Sequence, residues 1–345
     1  MSLKITFINV GYGESILLEY EKPSCPEDTF TMLIDGGSNE PEEYAGHSGR
    51  ITALEYLYNA GIMKLDIVLN THIHEDHTCG LEPIMKEIPV HNFWYAALPQ
   101  CEWPIVPSAW AATPANKRFL NALNAARRIH VYLRDKKIPL KEIRQCYWPI
   151  QLCEDVFIDI LGPSADVGSS FISLMDRLYQ EKSDENARQL LAKLDAQMNN
   201  VSTMLRIRYQ NRSILLVGDT NREGYTTLSK RSELLKADVF KLGHHGQQDS
   251  ITPAILKGVD PCAAVICASN DLRYNSTNSE TLQMLTEYGI RRNKPLSIVS
   301  TDQTSTMPYL TDVPPHDAVI FTISETGELY WHYSVCNNKN GGVEL

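Results

Sequence analysis

The chain has 345 residues, of which 43% are hydrophobic, and a formal net charge of −10. This length can bury a large core, and no apolar run reaches the roughly 18 residues that a membrane span needs. The negative charge disfavours binding to long nucleic acid, because such binding depends on many Lys and Arg contacts with phosphates. Residues 1–4 lead directly into a strand pattern, so we expect a cytoplasmic protein with no membrane segment.

Strands and turns dominate the first part of the chain. Hydrophobic patterns predict strands at residues 3–9, 14–20 and 30–35, and then a helix at 50–60. The strand at 30–35 ends in Asp35-Gly36-Gly37, which is a common turn sequence. A fourth strand is predicted at 65–70.

The strand at 65–70 leads into a segment with three imidazoles and two carboxylates. Its metal-binding side chains are His72, His74, Glu75, Asp76 and His77. Zinc binds imidazole nitrogens at about 2.0–2.1 Å and carboxylate oxygens at about 2.0–2.2 Å, so several such side chains must converge on one point. In extended chain His72 and His74 share a face, and a turn can redirect the residues that follow. The segment therefore predicts a metal centre at a strand end, with room for two cations.

The eight cysteines form no CxxC pair and have no repeated spacing, so we expect no disulfide framework. Cys79 follows His77 by two residues. We interpret Cys79 as a small packing residue, and a thiolate metal ligand is the alternative.

Residues 93–200 differ in character from the rest. They contain Pro- and Trp-rich sequence, a basic stretch at 115–144 with nine basic and two acidic residues, and a polar helical segment at about 171–197. Apolar residues recur in the basic stretch at helical spacing, which favours a solvated basic face over a phosphate-binding patch. Strands follow at 201–209 and 213–218. Because no linker divides the chain, we expect residues 1–345 to form one domain with an insertion at about 93–200.

Four motifs occur in an order that resembles the metallo-β-lactamase superfamily. They are Asp35-Gly36-Gly37, the HxHxDH pattern at 72–77, a strand that leads to Asp219, and His244-His245-Gly246. With residues 7–16, they resemble the ComEC-type branch, which is named for a hydrolase domain attached to bacterial DNA-uptake channels. The resemblance implies an α/β fold, an αββα sandwich of two mixed β-sheets flanked by helices, with metals at one edge. It also implies a strand at 263–269, a helix at about 280–288 and a strand at 298–302.

The same resemblance implies two divalent metal ions, with zinc first and manganese or iron as alternatives. The implied ligands are His72, His74 and Asp219 at a first site, and Asp76, His77, Asp219 and His245 at a second. Adjacent residues on a strand point to opposite faces, so only one of His244 and His245 is expected to be a ligand. We favour His245, and His244 then either donates a hydrogen bond to a substrate oxygen or only packs.

The first site lacks a histidine that typical members place before the Asp219 motif. Only His91 and His130 lie in that interval, and neither fits the expected order. The ComEC-type branch has an Asn/Ser-containing strand start there, which Asn200 and Ser202 resemble. These two residues either contact substrate or cap the turn into the strand.

Three further residues are candidates near the site. Asp35 is not expected to bind metal itself, but it can hold a ligand histidine in one tautomer. Tyr274 stands where ComEC-type relatives often carry a substrate-side histidine, and it is either a hydroxyl donor or an ordinary loop residue. His47 lies in a glycine-flanked loop that could approach the site.

These residues predict hydrolysis by a metal-bound hydroxide, with Asp76 orienting the water and His244 assisting. The leading hypothesis is a hydrolase of phosphodiesters or other phosphate esters that takes small or short substrates. One alternative is a carboxylic ester, lactone or thioester hydrolase of the same superfamily. A second alternative is a non-catalytic binding module that has lost part of its metal site. The sequence leaves the oligomeric state open.

Overall fold

The computed structural model describes residues 1–21, 29–46, 49–226, 228, 234–292, 294–302 and 315–334. His47, Cys25 and Cys336 lie outside this part of the chain. None of the helices in it is long and apolar enough to cross a lipid bilayer.

The described strands are β1 (Ser2–Ile8), β2 (Ile16–Glu21), β3 (Phe30–Ile34), β4 (Ile67–Asn70), β5 (Phe93–Tyr95), β6 (Leu140–Glu142), β7 (Ile150–Cys153), β8 (Val156–Gly162), β9 (Met204–Tyr209), β10 (Arg212–Leu216), β11 (Val239–Lys241), β12 (Ala263–Ile266), β13 (Ser297–Ser300), β14 (Ala318–Ser324) and β15 (Leu329–Ser334). They form two sheets, with orders β15-β14-β1-β2-β3-β4-β5-β6 and β13-β12-β11-β10-β9-β8-β7. Strands β3 to β6 and β10 to β13 pair in parallel, and the other pairs are antiparallel. Both sheets are therefore mixed, as predicted.

The described helices are α1 (Ala53–Asn59), α2 (Glu75–Thr78), α3 (Leu81–Glu87), α4 (Pro114–Lys136), α5 (Ala165–Gln180), α6 (Asp184–Met198), α7 (Pro253–Val259) and α8 (Ser279–Arg291). One apolar cluster joins the facing sides of the two sheets, with Phe7 from the first and Ile207 from the second. A second cluster packs α1, α3 and α4 against the first sheet, and a third packs α7 and α8 against the second. This is the αββα sandwich that the sequence predicts.

The range 93–200 contains both sheet strands and additional helices. Strands β5 to β8 belong to the two sheets, so this range contributes more to the sandwich than its loop-rich sequence indicates. The polar segment at 171–197 is two helices rather than one. Ser183 separates them, because its side chain accepts a hydrogen bond from the backbone N–H of Asn186 and caps α6.

Helices α4, α5 and α6 share an apolar cluster with the segment that carries the predicted metal ligands. Phe119, Met175 and Leu191 lie in this cluster, and so does Ile73, between His72 and His74. The backbone N–H of Ile73 also contacts the sulfur of Met198 at 3.2 Å. The three helices therefore pack directly beside the candidate site.

Candidate metal centre

Strand ends bring the four predicted motifs to one edge of the sandwich. Asp35 follows β3, the 72–77 segment follows β4, Asp219 follows β10, and the His244-His245 pair follows β11. In sheets with parallel strands the carboxyl ends form a common crevice where ligands bind. Residues far apart in sequence therefore meet here.

Four side chains form one compact donor group. Nε2 of His245 lies 3.0 Å from Oδ2 of Asp76 and 3.0 Å from Oδ2 of Asp219. Nε2 of His77 lies 3.3 Å from the same Asp219 oxygen and 3.4 Å from Nε2 of His245. Ligand atoms that surround one zinc ion tetrahedrally are about 3.3–3.6 Å apart, as follows from bond lengths of about 2.0–2.2 Å. These four side chains could therefore hold one cation.

A second donor group shares Asp219. Nε2 of His72 lies 3.1 Å from Nδ1 of His74 and 3.9 Å from Oδ2 of Asp219. The group consists of these three side chains. Among the described residues, no fourth metal-binding side chain completes it. Zinc sites that catalyse reactions commonly have three protein ligands and one open position. The missing histidine is thus compatible with a working cation site.

Hydrogen bonds fix the tautomers of three of these imidazoles. Nδ1 of His77 donates to Asp35 at 2.7 Å, and Nδ1 of His245 donates to the carbonyl oxygen of Cys267 at 2.8 Å. The hydroxyl of Thr71 donates to Asp35, so it accepts from Nδ1 of His72, which lies 3.1 Å away. In the neutral form of each ring, Nε2 is then the nitrogen without a proton, and it faces the donor groups, as a metal ligand requires.

The carboxylate of Asp219 suits a position between two cations. Its side chain is buried, and Oδ1 has no hydrogen-bond partner among the described residues. Burial would raise its pKa, but the adjacent imidazoles of His245 and His77 hold the pKa of Asp219 well below its usual range. The backbone N–H of Asp219 donates to Oγ of Ser202 at 3.1 Å, which fixes the turn.

The donor groups open into a cavity of about 500 Å³ that is lined by His74, Asp76, Asp219, His244 and Tyr274. Helices α4 and α6 supply one wall, through Arg118, Phe119 and Asp195. The ring of Tyr274 lies 5.0 Å from the ring of Tyr12 and 5.3 Å from the guanidinium carbon of Arg118. Tyr274 therefore lies at the cavity, and Arg118 is a cation of the cavity lining close to it.

The remaining predicted residues have varied positions. His244 lines the cavity, and Nδ1 of its ring lies 2.8 Å from Asp249. His244 and His245 form a 3-10 turn after β11, with φ angles of 43° and 50°, so they do not alternate as strand residues would. Ser202 supports Asp219, whereas the side-chain amide of Asn200 points to Glu223 at 3.4 Å.

Three residues that the sequence analysis considered but did not favour as ligands belong to neither donor group. His91 pairs with Asp66 at 3.4 Å, and Nδ1 of His130 donates to the carbonyl oxygen of Pro99 at 2.7 Å. Cys79 is buried in the apolar cluster under α4, as expected for a packing residue, and burial raises the pKa of its thiol.

Several residues near the site were not singled out by sequence reasoning. Lys241 and Glu14 form a fully buried ion pair, and Lys241 also lies 3.8 Å from Oδ1 of Asp219. The sequence signal for this pair was Lys241 itself, a charged residue in the otherwise apolar run 239–242. Arg118 and Asp195 carried no such signal, because a charge on a helix usually belongs to a solvated face.

Sequence comparison finds similarity to known proteins. Residues 10–99 match the model of the metallo-β-lactamase superfamily. ComE operon protein 3 of Bacillus subtilis (strain 168) is 23% identical over 314 residues, which are 89% of this chain and 33% of that protein. The chain thus spans about a third of the length of this curated relative.

Solved structures with a similar fold include CmlA, a diiron β-hydroxylase from Streptomyces venezuelae. It is 12% identical, with a TM-score of 0.45 over 86% of this chain and 53% of that chain. A diphosphatase from the PhnP family is also 12% identical, with a TM-score of 0.42 over 93% of this chain and 97% of that chain. The chain therefore contains a segment, residues 10–99, that matches the metallo-β-lactamase superfamily, and its two-sheet sandwich and ordered motifs agree with that match.

Proposed function

We propose that this protein is a metal-dependent hydrolase of phosphodiesters or other phosphate esters, and that its substrates are small or short. One observation carries the proposal. Two donor groups that share Asp219 open into a cavity that Arg118 also lines. No ion pair engages the Arg118 guanidinium within the described part of the chain.

Divalent cations at such a site supply Lewis acidity toward water and toward a phosphoryl oxygen. His72 and His74 would hold one cation, His77 and His245 the other, and Asp219 both. Asp76 would serve the second cation and, because it lines the cavity, would also orient a water molecule against the substrate. Asp249 fixes the His244 ring through Nδ1, which leaves Nε2 free to contact a substrate oxygen.

The Arg118 guanidinium in the cavity lining favours a phosphate ester over a neutral ester. A guanidinium group binds phosphate oxygens through two parallel N–H donors, and these charge-assisted bonds are stronger than neutral ones. Arg273 also lines the cavity, but it is paired with Glu43 and Asp271. Arg118 is therefore the side chain best placed to bind a phosphate oxygen.

The test is hydrolysis of a chromogenic bis-phosphodiester, assayed beside a lactone and a thioester, with and without manganese or zinc. We expect metal-dependent turnover of the diester and its loss in His245→Ala. Arg118→Gln should raise KM roughly ten- to hundredfold, because a hydrogen bond to a charged group contributes about 1.5–3 kcal/mol. Lys117→Gln is the matched control, since Lys117 is exposed on the same helix and lies outside the cavity wall.

Other outcomes would contradict the proposal. Turnover of the lactone or thioester alone would identify a carboxylic ester, lactone or thioester hydrolase. Absence of bound transition metal, together with no thermal shift when metal is added, would identify a non-catalytic binding module.

A further inference from the structure

We propose that Asp195, on helix α6, is a positioning residue that orients His74 as a metal ligand. This inference rests on the proposed metal-dependent function. It assigns to the helices of residues 93–200 a part in building the donor group of His72, His74 and Asp219.

Three of the four imidazoles of the centre are held in the same way. Each ring presents one nitrogen to the donor groups, and a neighbouring oxygen holds the remote nitrogen. Residues close to the sandwich strands perform this role for three rings: Thr71 for His72, Asp35 for His77 and Cys267 for His245.

His74 is the fourth ring, and its orientation is reversed. Its Nδ1 faces Nε2 of His72 at 3.1 Å, so Nε2 is the remote nitrogen. This Nε2 is buried, and none of the described residues forms a hydrogen bond of good geometry with it. Oδ1 of Asp195 faces it from 3.3 Å away. A cation on Nδ1 requires the ring proton to be on Nε2, and Asp195 is then positioned to accept it.

Asp195 is itself held in place by the neighbouring helix. The side-chain amide of Asn116, on α4, donates to Oδ2 of Asp195 at 3.2 Å. This bond leaves Oδ1 available for His74. Phe119 and Leu194 belong to the apolar cluster that packs α4 and α6 together, so Asn116 and Asp195 approach His74 from a rigid support.

The experiment is a cobalt(II) titration of the full chain, followed by visible absorption and calorimetry. We expect two binding events in the wild type. Asp195→Ala should weaken one event about ten- to hundredfold and leave the other unchanged, as for other residues that support a ligand from behind. Asp195→Asn retains an acceptor oxygen and should recover part of the affinity, and Asn116→Ala should weaken the same event to a smaller extent.

Asp184→Ala is the matched control. It also removes a carboxylate from α6, one that accepts a hydrogen bond from the indole of Trp110 at 2.8 Å. A wild-type titration for Asp195→Ala would overturn the inference, as would an equal weakening of both events by Asp195→Ala and Asp184→Ala. In either case wild-type hydrolysis of the diester would leave the proposed function intact. A wild type that binds no cobalt, zinc or manganese would instead refute the proposed function itself.

Discussion

Asp35 and His77 are joined by a buried hydrogen bond of 2.7 Å from Nδ1 of the imidazole to the carboxylate. The same carboxylate accepts the backbone N–H of Thr71 at 2.8 Å and the side-chain amide of Asn70 at 3.0 Å. Asp35 therefore connects the end of β3 to the segment that carries the predicted ligands.

The first prediction concerns this connection. Asp35→Ala should lower metal affinity by about ten- to hundredfold, because His77 loses the group that fixes its tautomer. The measurement is a zinc titration by calorimetry. Asp66→Ala is the control, because Asp66 accepts the backbone N–H of Thr31 at 2.8 Å and lies in none of the metal-binding groups. Unchanged zinc affinity in Asp35→Ala would contradict the prediction.

The second prediction concerns the contact of Gly80 with the Asp35-Gly36-Gly37 turn. A Cβ atom on Gly80 would lie 2.0 Å from the carbonyl oxygen of Gly36, although the φ angle of Gly80 is an ordinary −68°. Gly80→Ala must therefore push the Asp35 turn away from α2. We expect it to lower stability by roughly 1–3 kcal/mol and to weaken metal binding. Gly289→Ala in α8 is the control, since its Cβ would approach Leu296 only to 3.3 Å.

Thermal unfolding and zinc titration of both glycine variants measure these effects. A Gly80→Ala variant with wild-type unfolding temperature and wild-type affinity would show that the two turns can separate without cost. Loss of stability with unchanged affinity would show that the turn contact supports the fold but not the metal centre.

The resemblance implied the sandwich and the convergence of the motifs, and it was recognisable because each motif combines an apolar strand with a polar strand end. Asp35, His77 and Asp219 therefore meet where the resemblance implies. The expectation that only one of His244 and His245 is a ligand rested on strand alternation, whereas the pair lies in a turn with left-handed φ angles. Sequence pattern could not predict this, since non-glycine residues rarely adopt such angles.

The contribution of the helices at 93–200 was beyond sequence reasoning. Most of the basic stretch follows the expected solvated pattern, as with Arg128, which pairs with Glu82 at 2.8 Å. Arg118 on α4 and Asp195 on α6 fit the same helical pattern as exposed charged residues. Only the packing of α4 against α6 distinguishes them from surface charges. A pattern along one helix does not specify what a neighbouring helix brings close to it.

The third prediction concerns the ion pair of Lys241 and Glu14. Both side chains are fully buried, and Lys241 also donates to the carbonyl oxygen of Gly218 at 2.9 Å. Lys241→Met alone leaves the Glu14 carboxylate buried without its partner, which should cost about 3–5 kcal/mol in the free energy of unfolding. The double variant Lys241→Met with Glu14→Leu removes both charges, so it should be more stable than Lys241→Met alone.

Urea unfolding of the two single variants and the double variant gives the coupling energy between these residues. A double variant whose loss equals the sum of the single losses would contradict the prediction, since residues in contact are expected to be non-additive. Lys4→Met is a control for lysine removal, because Lys4 is partly exposed and pairs with Glu19 and Glu21 near the surface.

The last prediction is that metal binding releases protons. Burial lowers the pKa of His245, but Asp219 and Asp76 outweigh it and raise that pKa to about 9. Burial also lowers the pKa of His77, but nearby carboxylates, Asp219 first among them, outweigh it and raise that pKa well above its ordinary value. Both rings are therefore protonated at neutral pH in the metal-free protein. A cation needs their neutral form, so affinity should fall as the pH falls below about 9.

The protonation of the other ligands also determines how many protons metal binding releases. Burial, with the nearby His77, lowers the pKa of His72 well below its ordinary value, so this ring is already neutral. Neighbouring imidazoles hold the pKa of Asp76 at about 2 despite burial, so its carboxylate is already ionised. We therefore expect release of about two protons at pH 7, one each from His77 and His245. Calorimetry of zinc binding in buffers with different ionisation enthalpies measures this number. His245→Ala should remove one of the two protons, and a wild-type value of zero would show that these imidazoles are neutral before the cation arrives.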